Sequence, residues 1–392
     1  MRAISEDDSG NVLIDLDDRT GFLPVAAIYG PNGGGKTNML NAIAYVVSLI
    51  RRPVKLFMNT KGDRDNVNLN QGSIFEMCKP FKFDENSSGQ PTVFQLYYRV
   101  NHGEFRYRVS VQGERIVEES LHLRTVGKTG KAILFVRDEK GISLGTQIRR
   151  KRINTEIPDQ MPFLSSLAIN HKIPVIDDAM QFFLSSQLLK FSLPYVENEI
   201  RIFRDNDKKK VLLKMLDGMG IGISDYRVED TNEKETELTV YTTHTHAGNS
   251  YELELSEESC GTIKLFSLLP TIMNSLDRGG LLVVDELDSK LHPLLIRNII
   301  NTYKDPHSNP YGAQIIFTTH DIANMNNSVF RRDEIFFACL NEDKASEFYS
   351  LYDVRIPETG KRVNATASYG KQYLEGRYGA DPYLKKILAW GE

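Results

Sequence analysis

The stretch AAIYGPNGGGKTNMLNAI, residues 26 to 43, places four glycines and one lysine between two apolar runs. Val25 to Tyr29 reads as a short buried strand, and Asn38 to Ile50 carries Met39, Leu40, Ile43, Val46, Val47 and Ile50 at helical spacing, so the glycines fall at a strand-to-helix turn. Side chains there would keep other molecules off the backbone, whereas glycine tolerates positive φ and lets them come close. Gly30, Gly35, Lys36 and Thr37 satisfy G-x-x-x-x-G-K-[ST], in which backbone N–H groups curl around phosphate oxygens, the lysine reaches the β- and γ-phosphates and the hydroxyl holds Mg²⁺. The helix that follows adds its positive end to the anion site. Gly30, Asn32, Gly33, Gly34, Gly35, Lys36, Thr37 and Asn38 are therefore the candidate nucleotide-binding residues of this loop, and an α/β chain is expected.

At 392 residues, 41% hydrophobic and 26% charged, the chain can bury a large core, as one domain with an insertion or as two domains. No apolar run approaches the roughly 18 to 20 residues that a membrane span needs, and the opening MRAISEDDSG is acidic where a signal peptide is basic and then apolar. A cytoplasmic protein with no membrane partner is expected. Cys78, Cys260 and Cys339 lie far apart and form no C-x-x-C pair, so neither a disulfide framework nor a zinc ribbon is suggested. A net charge of -4 argues against a surface that coats nucleic acid throughout, although a local basic groove would not show in the total.

The second half decides the class. In GGLLVVDELDSKLHP, residues 279 to 293, the apolar run Leu281 to Val284 reads as a parallel strand covered on both faces, and it ends in two acids. Asp285 is placed to bind Mg²⁺, and Glu286 beside it to polarise the water that attacks a γ-phosphate. QIIFTTHD, 314 to 321, is another apolar strand, delivering His320 where it can hydrogen-bond the γ-phosphate or that water. Between P-loop and acids, Ser259, Gly261 and Thr262 stand directly before the helical run Ile263, Leu265, Phe266, Leu268, Leu269 and Ile272, a second helix N-terminus that can hold an anion.

The order GPNGGGKT, SEESCGT, LLVVDELDSKLHP, FTTHD resembles ABC-type ATPases. More closely it is similar to the bacterial group of overcoming-lysogenization-defect ATPase domains, abortive-infection ATPases and the PARIS and Septu defence ATPases; YLEGRYGADPYL, 373 to 384, is similar to a tail common in that group. The resemblance covers about residues 22 to 50 and 250 to 385 and implies a P-loop NTPase of ABC type: a central, mainly parallel sheet with flanking helices, an antiparallel β-lobe and an inserted helical arm. It further implies a head-to-head dimer in which Ser259, Cys260, Gly261 and Thr262 of one copy close over the γ-phosphate on the P-loop of the other. In that comparison Glu286 is the catalytic base, His320 the switch histidine and Asp285 a Mg²⁺ partner, while Asp288 and Ser289 belong to the loop that communicates across the interface. The P-loop is reached by residue 30, earlier than in the resembled proteins, which leaves contacts to the base open. The glutamine that links Mg²⁺ to the inserted domain is unassigned among Gln71, Gln90 and Gln95.

This divides the chain into the first part of the head (1–50), an antiparallel β-lobe (51–155) read from alternating runs such as TVFQLYYRV and EFRYRVSVQ, a helical arm (156–225) and the second part of the head (226–392). DDAMQFFLSSQLLKF is read as helical throughout. IRRKR, 148 to 152, is the most basic spot and a candidate for DNA or RNA phosphates, with an ordinary solvated face as the alternative. His244 and His246 alternate on a strand without a visible third ligand. No second catalytic constellation is recognisable, so the effector is expected to be a separate protein; the resemblance to phage-defence ATPases further implies an ATP-hydrolysing homodimeric or larger switch for a nuclease or toxin in anti-phage defence. The rivals are a DNA-repair or chromosome-clamp ATPase acting directly on DNA and a scaffold that binds ATP without hydrolysing it.

Overall fold

The computed structural model describes all residues except 2, 5–13, 16–20, 60–72, 149–151, 191–204, 231–237, 357–358 and 381–392. The pair β1 (Ile14–Asp15) and β2 (Gly21–Phe22) precedes β3 (Val25–Tyr29), which turns through the glycines into α1 (Lys36–Asn59). One helical turn, α2 (Ser73–Glu76), leads to the meander β4 (Thr92–Val100), β5 (Gly103–Gln112), β6 (Arg115–Thr125), β7 (Lys131–Asp138) and β8 (Gly141–Leu144). Helices α3 (Phe163–Asn170) and α4 (Pro174–Ser185), strand β9 (Gln187–Lys190) and helix α5 (Asn206–Gly218) follow. Next come β10 (Asp225–Asp230), β11 (Leu238–His246), β12 (Asn249–Glu254), α6 (Cys260–Arg278) and β13 (Leu281–Asp285). The chain continues through α7 (Pro293–Lys304), β14 (Gln314–Thr318), β15 (Ile335–Leu340), β16 (Ser346–Ser350) and α8 (Tyr369–Leu374).

The central sheet has the order β16-β15-β3-β14-β13-β9 and is parallel except for β16. Apolar strands without alternation need cover on both faces, and β3 is buried at all five positions. One face packs against α6 and α7 through Phe266, Leu269, Ile296 and Ile300; the other receives Leu40 of α1 beside Ile28 and Val283. Because β3, β14 and β13 run parallel in adjacent register, with Ile28 opposite Thr318 and Val284 opposite Phe317, their carboxyl ends open on one edge. The fold class is α/β: a mainly parallel central sheet with flanking helices and added antiparallel sheets. No described helix is long and apolar enough to cross a membrane.

One expectation meets a different arrangement. DDAMQFFLSSQLLKF is not one helix: α4 stops at Ser185, and Gln187–Lys190 adds to the sheet edge parallel to β13. Ser186 ends the helix by donating its hydroxyl to Phe182 O (2.6 Å), and beyond it Leu188 and Leu189 serve different clusters, as strand alternation requires. Over 156–225 the described helices pack on the rest of the chain. Phe163, Leu164 and Leu167 of α3 and Ile176, Met180 and Phe183 of α4 share a core with α1 and the meander, while α5 joins the cluster containing α6. Glu119 of β6, wholly buried, accepts from Phe163 N (2.6 Å), Leu164 N (3.0 Å) and the Tyr107 hydroxyl (3.0 Å), so the meander itself caps α3.

Candidate nucleotide site

The glycines of the P-loop answer to geometry. Gly30 has φ 144, and a Cβ on it would lie 2.1 Å from Ala338 O of β15; Gly35 has φ 102, and its Cβ would meet Ser346 Oγ at 2.1 Å. The loop is thus wrapped against β15 and β16 with bare backbone. Gly30→Ala is expected to remove nucleotide binding or to lower the melting temperature sharply; unaltered binding of a fluorescent ATP analogue would contradict this packing. Lys36 opens α1 and is 8% exposed, its Nζ donating to Gly30 O (2.8 Å) and Pro31 O (3.0 Å). Burial lowers its pKa, and Asp285, Glu286 and Asp288 act in the opposite sense. Asn32, Gly33 and Asn38 are exposed along the loop, and Gly34 is buried against Ala338 O.

Asp285 ends β13 one sheet position beyond β14. Its Oδ1 accepts from Thr318 Oγ1 (2.6 Å) and from Thr37 Oγ1 (3.3 Å), which joins the P-loop helix to the acid strand. Thr318 Oγ1 in turn accepts from Glu286 N (2.7 Å), leaving the Glu286 side chain exposed at the sheet edge. Glu286 has φ 52, a left-handed conformation that costs an ordinary residue about 1–2 kcal/mol. Lys264 of α6, 7% exposed, holds this turn: its Nζ donates to Glu286 O (2.9 Å), Leu287 O (3.0 Å) and Ser289 O (2.6 Å). Burial pushes its pKa down to about 8, against the pull of Asp288 and Glu286. Asp288 Oδ2 accepts from His320 N (3.0 Å), and the His320 imidazole is exposed on the same edge.

The structure therefore brings together Lys36, Thr37, Asp285, Glu286, Asp288 and His320. Ser259, Gly261 and Thr262 make no hydrogen bond to the P-loop of the same chain among the described residues. Ser259 caps α6, accepting from Thr262 N (3.1 Å), with Ser259 and Cys260 exposed and Gly261 close to Lys290 O. The preceding Glu258 accepts from Thr242 Oγ1 and shares a 2.6 Å hydrogen bond with His244 Nε2, which gives His244 an anchoring contact; His246 is exposed. Of the glutamines, Gln95 bonds Tyr97 OH (2.9 Å), Gln90 follows a short 3-10 turn, and Gln71 lies outside the described residues. Most of IRRKR, 149 to 151, and the end of YLEGRYGADPYL also lie outside them.

Thr318 and Lys264 were missed by sequence reasoning. Thr318 stands two residues before His320 inside a motif already singled out, and a hydroxyl at the last strand position beside an acid strand was its signal. Lys264 carried one too, as a cation interrupting the apolar run Ile263 to Leu269 on a face that has to be buried. Chemically, a backbone loop that excludes Cβ atoms, a helix N-terminus and a buried lysine suit a triphosphate. One hydroxyl and one carboxylate suit Mg²⁺, which takes few protein ligands beside substrate phosphates.

A family model described as "AAA domain, putative AbiEii toxin, Type IV TA system" matches residues 25–326. Among solved structures, one similar chain comes from the Smc head bound to the C-winged helix domain of ScpA, at 15% identity and a TM-score of 0.45, covering 84% of this chain and 91% of that one. No curated protein matches the sequence.

Proposed function

Since the chain belongs to this AAA-domain family, we propose that it is an ATPase whose two copies close around two ATP molecules, each nucleotide held on one P-loop and covered by the Ser259–Thr262 segment of the other copy. The observation that carries the reading is the chain of contacts from Thr37 through Asp285 and Thr318 to the Glu286 backbone, because it ties to the phosphate cradle the residue whose carboxylate would serve as base. Lys36 would leave the carbonyls of Gly30 and Pro31 for the β- and γ-phosphates of the substrate. Glu286 would take the proton of the attacking water, with His320 hydrogen-bonding the γ-phosphate from the neighbouring strand end. Thr37 and Asp285 would hold Mg²⁺, which neutralises phosphate charge when bound.

The exposure of Ser259 and Cys260, which make no hydrogen bond to the P-loop of their own chain among the described residues, supports a second copy as the partner. For the wider role we propose a nucleotide-controlled switch for a separate nuclease or toxin in anti-phage defence, supported by the order of motifs and by the toxin–antitoxin description of the family. The test is phosphate release: purified protein with Mg²⁺ and ATP is expected to turn over, and Lys36→Ala to lose both binding and turnover. A wild-type protein that binds ATP and never releases phosphate would favour the scaffold.

A further inference from the structure

The β4–β8 meander buries one face only. Tyr107, Val109 and Leu121 point into the core with α1, α3 and α4, so alternate residues form the opposite, open face. There the register sets Tyr97, Arg106, His122 and Ile133 in one row across four strands. Tyr97 is 70% exposed and Ile133 51% exposed. In the flanking rows Arg108 pairs with Glu118 (3.4 Å) and Arg124 with Glu104, while Lys131 lies opposite Arg124. Arg106 and Lys131 make no ion pair among the described residues. Their charges, after burial, depress the pKa of His122, whose Nδ1 has no hydrogen-bond partner. In a chain of net charge -4, this face carries more cations than carboxylates, with an exposed aromatic ring among them.

We propose that this open sheet face binds single-stranded nucleic acid, one base stacking on Tyr97 and neighbouring phosphates meeting Arg106 and Lys131. A tyrosine beside an arginine that no carboxylate neutralises supplies both contacts that a single strand offers, a base plane and a phosphate. A duplex hides its base planes within the stack, and an acidic protein segment would use the cations but not the ring. β4 is an edge strand, so a polymer can run off the sheet past Tyr97. From β4 to β7 there are three interstrand gaps of about 4.8 Å, roughly 14 Å in all, room for two or three nucleotides. The inference stands on its own footing, independent of ATP turnover; if both hold, the strand is a candidate trigger for the ATPase.

The test is fluorescence anisotropy on the full chain with labelled oligothymidylate and oligouridylate of about 15 nucleotides, and with a duplex of equal length. Single strands are expected to bind better than the duplex, and the relative strength of the two oligomers separates DNA from RNA. The double variant Arg106→Glu, Lys131→Glu should bind at least about 10-fold more weakly, with the salt slope reduced by about 0.7 for each phosphate that the protein no longer neutralises. Tyr97→Ala should weaken binding at least about 5-fold and Tyr97→Phe should retain it. Melting temperature and ATP turnover of the variants should match wild type; if the double variant does not fold, Arg106→Gln with Lys131→Gln replaces it. Absence of single-strand binding, variants that bind like wild type, or a preference for duplex indifferent to Tyr97 would each overturn the proposal.

Discussion

Glu286→Gln will lower ATP turnover at least about 100-fold while leaving nucleotide affinity close to wild type, because a positioned general base contributes about 10²- to 10⁴-fold. The substitution is clean for structural reasons. The backbone of Glu286 is held by Thr318 Oγ1 on its N–H and by Lys264 on its carbonyl, and its side chain is exposed and makes no hydrogen bond among the described residues. Glutamine keeps the length and loses only basicity, so the melting temperature should stay put. Steady-state phosphate release and binding of a labelled nucleotide check the two halves of the statement. Turnover at the wild-type rate would remove Glu286 from the role of base and leave the carboxylates of Asp285 and Asp288 to be tested in turn.

Lys264→Met carries the second large effect, and it acts through position. Methionine fills the space but leaves the carbonyls of Glu286, Leu287 and Ser289 without their common donor, at a cost of about 1–3 kcal/mol for each that stays buried and unpaired. The turn is then expected to relax out of its left-handed conformation, taking the base with it. Turnover should fall by a factor on the order of 10 to 100, with ATP binding retained because the glycine loop is untouched, and Lys264→Arg should restore part of it.

The pH profile separates this from general damage. With a pKa near 8, Lys264 loses its third proton as pH rises through 8, so turnover should decline on the alkaline side. In Lys264→Arg the decline should vanish, since arginine stays charged. The stability sign is opposite: the unfolded chain keeps the proton up to the ordinary lysine range, so between about 8 and 10.5 the unfolded state binds more protons and this group's contribution to stability rises with pH. An alkaline decline of equal size in both proteins would assign it to another group.

The parts of the fold that were legible in the sequence are those encoded locally. A phosphate loop needs bare backbone, so Gly30 and Gly35 stand out by residue type alone, and an apolar run that ends in Asp285 and Glu286 announces a strand with chemistry at its tip. Parallel strands then bring such tips to one edge, which is why His320 stands out as well. What stayed hidden depends on partners distant in the chain. β9 forms because β13, far along the chain, leaves an open edge beside Leu188 and Leu189, and helix spacing gave no hint of that. The packing of α3 depends on Glu119, whose isolated charge in a strand reads as solvent-facing until Tyr107 and the α3 backbone surround it. Lys264 belongs to the same class: its partners are carbonyls, which no residue type discloses.

The most direct measurement is the mass of Glu286→Gln in solution by light scattering, with Mg²⁺ and either ATP or ADP. The expected result is a dimer with ATP, a monomer with ADP, and a monomer in both when a bulky side chain replaces Gly261 in the segment proposed to cap the partner's nucleotide. A protein that binds ATP tightly yet keeps the same mass in every nucleotide state would contradict it.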